Sequence, residues 1–457
     1  MQIFDFFQSI LSNYYFISFF IVLSVCILLF SSISNKSKQK QRQQNYLQSS
    51  KNQENIHGII FGKQKQSYIF SPTNDEGHVL VVGGSGSGKT SAVLIPTLQH
   101  WSGTSLTIDI SGDICKNVHM DNKLIYEPIN PDTIPYDVFA PIDRLDDEDS
   151  QNEALEQLAF LFMPDDDTMS DSGQFFHTEG RKILTASLIS FYHQGLDFIP
   201  ICEKIVSSSW QVLFRSIDNT GYQKAIQYIN SFEGASQQNT AGCKQACDSV
   251  LKLFAANEKI KQAIRRPAEG EESFSPSALE EKNIFLVIPD SKLKLYAPLL
   301  HLITSQCMDF FSDRSNDAEN TILFCLDEFA SLGRMDIIDA LRKYRKKHIR
   351  IIVLTQSTAD IDLIYGKAER SAMLNNFKYK VVLNADDTDT QEYFSKLIGY
   401  SITQRKSISK NSKQTTRTKS DSKEWTIEPS DLARLGNDFI LLYPGGYEKL
   451  EKNFYYK

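Results

Sequence analysis

A chain of 457 residues exceeds one ordinary hydrophobic core, so two or more folded units are expected. Hydrophobic residues make up 41% and charged residues 23%, which excludes a disordered chain. A net charge of -7 excludes indiscriminate attraction to nucleic acid, so any contact with DNA or RNA must come from local basic patches.

The first element is a membrane anchor. Residues 14–33, YYFISFFIVLSVCILLFSSI, carry no charge, and about 20 residues rising ~1.5 Å each span a hydrocarbon core of ~30 Å. A cleaved signal peptide would have a basic start, a shorter apolar stretch and a small-residue cleavage site. Here Asp5 precedes the span and no Lys or Arg does. Lys36, Lys38, Lys40 and Arg42 follow it, so the positive-inside rule places residues 35 onward in the cytoplasm. Residues 1–34 thus read as one single-pass anchor. Residues 35–57, rich in Gln, Asn, Ser and Lys, read as a polar basic linker.

Next comes His78–Thr90, HVLVVGGSGSGKT. Val79 to Val82 form a short buried strand, the loop Gly83, Gly84, Ser85, Gly86, Ser87, Gly88 follows, and Lys89-Thr90 open a helix. This is the full G-x-x-x-x-G-K-T pattern. Side-chain-free positions let backbone N–H groups curl around phosphate oxygens, and the helix N-terminus adds partial positive charge. ATP is the expected ligand, with Lys89 on the β- and γ-phosphates and the Thr90 hydroxyl on Mg2+. A chance Gly-rich turn would lack the flanking strand, the helix and Lys-Thr.

From about residue 144 to 281 the pattern becomes helical, with apolar spacing over 152–162, 175–193, 198–216 and 243–264. We expect an all-α insertion of five to seven helices. The seven cysteines are scattered. Cys243 and Cys247 alone are close, and without a second pair or nearby histidines they read as buried helical thiols, not a zinc site.

The second half-site appears at Thr321–Glu328, TILFCLDE, an apolar run closing on two acids. Asp327 at the strand end suits the Walker B role of holding Mg2+, and Glu328 would orient and deprotonate the attacking water. Strands are expected at 106–109, 124–126, 283–288, 321–326, 349–355 and 379–383, alternating with helices near 88–100, 297–312, 334–347 and 387–398. Such alternation gives a doubly wound α/β fold with a mostly parallel sheet. Gln356, ending the strand next to Walker B, is either a γ-phosphate sensor or a loop polar residue. Arg345, on the basic helix 334–347, is either part of a solvated face or reaches a neighbouring subunit's nucleotide, or the helix face lines a DNA channel. Residues 401–424 hold seven Lys or Arg against two acids and almost nothing apolar. They read as a flexible loop, free or touching a phosphate backbone.

These residues carry a resemblance to the type IV secretion coupling proteins, the TraG/TraD family of conjugative DNA-transfer ATPases. It lies in HVLVVGGSGSGKT with SLTIDISGD, in FCLDEFASLGRM, in IRIIVLTQSTADIDLIYG and in EWTIEPSDLARL with LLYPGG. It implies a RecA-like nucleotide domain (58–143 and 282–457) with the all-α domain (144–281) inserted between Walker A and Walker B. It further implies a homo-hexameric ring on the inner (cytoplasmic) membrane that passes a relaxase-bound single DNA strand, or protein effectors, to a secretion channel. Lys89, Thr90, Asp327, Glu328 and Gln356 match the family's positions, and Arg345 falls where relatives carry a candidate arginine finger. Many members have two membrane helices where this chain shows one. It also lacks the long tail of some relatives, so substrate choice is expected to rest on the α-domain or on adaptors. Two other readings stand beside this one. A septal-type double-stranded DNA translocase would have several spans and a winged-helix module. A non-hydrolysing docking receptor would not need the carboxylate of Glu328.

Overall fold

The computed structural model describes residues 45–53, 56–165, 169–411 and 414–457. The anchor expected over 14–33 lies outside the described residues, and among those described no helix is long and apolar enough to cross a membrane.

In chain order the strands are β1 (Gln48–Ser50), β2 (Ile60–Gln64), β3 (Ser67–Phe70), β4 (His78–Val82), β5 (Thr104–Asp109), β6 (Lys123–Tyr126) and β7 (Asn283–Val287). They continue with β8 (Ile322–Leu326), β9 (Ile349–Thr355), β10 (Phe377–Val382), β11 (Tyr400–Asn411), β12 (Gln414–Trp425), β13 (Asp438–Tyr443) and β14 (Gly446–Glu451). One sheet runs β1-β3-β2-β14-β13-β10-β4-β9-β8-β5-β7-β6. From β10 to β6 every pairing is parallel, and from β10 outward through β13 to β1 every pairing is antiparallel.

The inner strands β4 and β8 are buried at every position, which explains their continuous apolar runs, whereas β6 at the sheet edge leaves Ile125 exposed. In β4, Val79 and Val81 enter one core while Leu80 and Val82 enter the other. β8 does the same with Leu323 and Cys325 against Phe324 and Leu326. Each expected strand from 106 to 383 is present within a residue or two of its expected ends. The sheet is mixed but dominated by parallel strands, with helices against it.

Between β6 and β7 the chain is helical. Glu148–Phe162, Asp171–Tyr192 and Gln237–Ala256 are the longest helices, and four shorter ones lie among and after them up to Ala263. Ser150 N–H donates to Asp147, Gly173 N–H to Ser170 and Asn239 N–H to Ser236, so each long helix starts on a side-chain N-cap. Cys243 and Cys247 are buried, and among the described residues no three or more His, Cys, Asp or Glu side chains group as a metal-ligand cluster.

Two expectations change. The end of the supposed linker is an edge strand: β1 pairs with β3, and Leu47 is buried. Backbone pairing at an edge needs little apolar pattern, and Leu47 with Tyr46 anchors it. Residues 401–424, read as a flexible loop, form a two-stranded ribbon of β11 and β12, in register from Tyr400↔Trp425 to Asn411↔Gln414. Its sequence is rich in Ser and Thr with polar residues at nearly every position, so no alternation signals the strands. Tyr400 stacks on Trp425 at 4.3 Å and fastens the ribbon's base.

Candidate nucleotide site

The site forms at the carboxyl ends of β4, β9 and β8, adjacent in that order. Gly83 N–H donates to the Thr355 carbonyl at 3.1 Å, which fixes where the loop leaves the sheet. A Cβ on Gly83 would stand 2.4 Å from Ser87 Oγ, and one on Gly84 would stand 2.2 Å from Asp386 Oδ2. Gly88 holds φ at 101°, in the left-handed region. The motif's glycines are therefore demanded by space and by backbone conformation.

Lys89 is buried, and its ammonium turns back into the loop. Nζ donates to Gly83 O at 2.8 Å and to Gly84 O at 3.4 Å, and lies 3.7 Å from Glu328 Oε1. Thr90 Oγ1 donates to Asp327 Oδ2 at 3.3 Å. Gln356 Nε2 donates to Glu328 Oε2 at 3.3 Å. Five residues from three strand ends thus meet in one place. Glu328 holds φ at 46°, a conformation uncommon outside glycine and frequent where strain serves a site.

Burial first, then the neighbouring Glu328 carboxylate, push Asp327 up to about 6, against the pull of Lys89, the Glu328 N–H and the Thr90 hydroxyl. Carboxylate and hydroxyl oxygens so arranged suit a hard divalent cation. Ser87 Oγ is buried without a hydrogen-bond partner, as expected of a group meant for a phosphate oxygen. The residues present fit Mg2+ and a nucleoside triphosphate.

A family model described as type IV secretory system conjugative DNA transfer matches residues 31–457. The chain belongs to this family. Among curated proteins it is similar to Protein VirD4 of Agrobacterium fabrum (strain C58 / ATCC 33970), 26% identical over 364 residues, which cover 75% of this chain and 53% of VirD4. The chain spans about half the length of the curated relatives it matches first. Its fold is that of the conjugative coupling protein TrwB lacking 70 N-terminal residues (TM-score 0.70, 19% identity, 89% of this chain and 93% of that one). TrwB in complex with ADP and Mg2+ is similar as well (TM-score 0.66, 19% identity, 83% and 86% covered).

Arg345 is not brought to this site. It is exposed just before β9, at the opposite end of the strands, near His78. Sequence reasoning missed two residues that shape the loop. Asn384 Oδ1 accepts from Gly84 N–H at 2.7 Å, and Asn384 Nδ2 donates to Asp386 Oδ1 at 3.0 Å. Both follow β10 at the same carboxyl edge, so their position after a parallel strand was the available signal.

Proposed function

We propose that this family member is a membrane-anchored coupling ATPase of a type IV secretion or conjugation system, hydrolysing ATP to deliver relaxase-bound DNA, protein substrates, or both to the channel. The observation that carries the reading is the meeting of Lys89, Thr90, Asp327, Glu328 and Gln356 at one strand edge. Bound Mg2+ supplies Lewis-acid polarisation of the phosphoryl group. Thr90 and Asp327 hold that cation, the loop from Gly83 to Gly88 cradles phosphates with its N–H groups, and Lys89 neutralises their charge. Glu328 accepts the proton of the attacking water, and Gln356 holds its carboxylate in place. A docking receptor would not need that carboxylate poised beside the P-loop lysine.

The organisation we propose follows the family: an anchor over 1–34, a RecA-like body from 58–143 and 282–457, an all-α domain over 144–281, and a homo-hexamer on the inner membrane. Within such a ring the outward Arg345 serves a neighbouring subunit's nucleotide, consistent with its distance from its own. Lys89→Ala is expected to abolish transfer while membrane insertion stays intact. Transfer retained by that variant would refute the motor reading.

A further inference from the structure

The helix after the P-loop begins in a wide turn. Lys89–Leu94 has π-helical geometry, with Ile95 N–H donating to Thr90 O. In that register the Ser91 carbonyl would be served by residue 96, which is Pro96 and has no N–H. Tyr455 N–H donates to that carbonyl instead, at 3.0 Å. This bond ties the segment 452–457, which follows β14, to the nucleotide loop. Phe454 Cε1 then lies 3.0 Å from where a Cβ on Gly88 would stand. Its ring stacks on Tyr456 at 5.4 Å and 30°, and Tyr456 is 60% exposed. The result is a half-exposed aromatic pair beside the last glycine of the loop, with the Nζ of the exposed Lys457 lying over the Phe454 ring at 4.6 Å from its centroid.

Sheet order gives this surface its direction. Glu328 and Gln356 reach the loop from β8 and β9, on one side of β4, and with Lys89 they mark the phosphate end where the bond breaks. Phe454 comes from beyond β14, which stands with β13 and β10 on the other side of β4. A triphosphate lying along the loop must therefore leave it, through sugar and base, toward Phe454. We propose that Phe454, backed by Tyr456, is the platform on which the nucleobase stacks, taking the place of the exposed Lys457 ammonium over the ring. Every base has a π-face, so the platform accepts adenine and guanine alike. This assignment rests on the nucleotide-binding reading above.

The test compares ATP, GTP and inorganic tripolyphosphate as ligands of the full chain, by competition against a fluorescent nucleotide. Phe454→Ala is expected to weaken ATP and GTP by about tenfold and to leave tripolyphosphate unchanged. In a Phe454→Trp variant, added ATP or GTP changes the indole emission and tripolyphosphate does not. Should Phe454→Ala unfold, the Phe454→Trp measurement decides alone. Equal weakening of all three ligands, or of none, overturns the platform while leaving nucleotide binding standing. Failure of the unaltered chain to bind ATP overturns both readings together.

Discussion

Lowering the pH should loosen the strand that carries the P-loop. His78 opens β4 with its ring buried. Nδ1 accepts from Ile351 N–H at 3.0 Å and Nε2–H donates to Leu341 O at 3.1 Å, so both nitrogens are used by the neutral ring. Burial first, then Arg350 and Arg345, bring its pKa down from 6.5 to about 3, against the pull of the Leu341 carbonyl and Asp75. A pKa lowered by folding gives stability that is full above the unfolded value and is lost as pH falls from 6.5 toward 3. At pH 5 protonation favours the unfolded chain by about 2 kcal/mol through this ring alone. His78→Asn keeps an acceptor for Ile351 and removes the titration. It should cost about 1–3 kcal/mol at pH 7.5. The gap to the unaltered chain should then narrow by about 2 kcal/mol at pH 5. Urea unfolding followed by circular dichroism at both pH values reads this directly. A gap that stays constant would refute the buried neutral ring.

Other consequences follow from the loop and the ribbon. Gly84→Ala drives a methyl into the Asp386 carboxylate, and overpacking of this kind should cost about 1–3 kcal/mol. ATP affinity should fall with it, and adding Asp386→Ala should restore most of that affinity in a nucleotide-binding titration; a double variant no better than the single would place the strain elsewhere. Replacing the Lys and Arg residues of 401–424 by Gln should weaken DNA binding and flatten its dependence on salt, by about 0.7–0.9 in log–log slope for each phosphate left without its cation. An unchanged slope would mean the ribbon does not touch nucleic acid.

How much the sequence reveals depends on how far apart the cooperating residues lie. β4 and β8 are buried at every position, and their apolar runs made them legible. The P-loop and Asp327-Glu328 are short motifs whose chemistry allows few substitutes. β2 and β3 escaped because Gly62 and the polar turn GKQKQS interrupt a brief apolar signal. They hold their place by antiparallel pairing and by Phe61 in the core. Asn384 and Phe454 lie about 300 residues or more from the loop they touch, and neither sits in a motif. The buried charges at the opposite edge were equally hidden. Arg350 donates to Gly77 O and Ser71 Oγ, and Asp75 accepts from Tyr379 OH and Lys378. Only the fold brings these positions together.

The measurement closest to the central claim is ATP turnover by the purified chain, with and without single- and double-stranded DNA, beside Glu328→Gln. The account predicts turnover that DNA stimulates, with single strands the better activator. It predicts that Glu328→Gln still binds ATP but turns over about 100-fold or more slower. Nucleotide binding without turnover under every condition, or a Glu328→Gln chain as active as the unaltered one, would contradict a motor driven from this site.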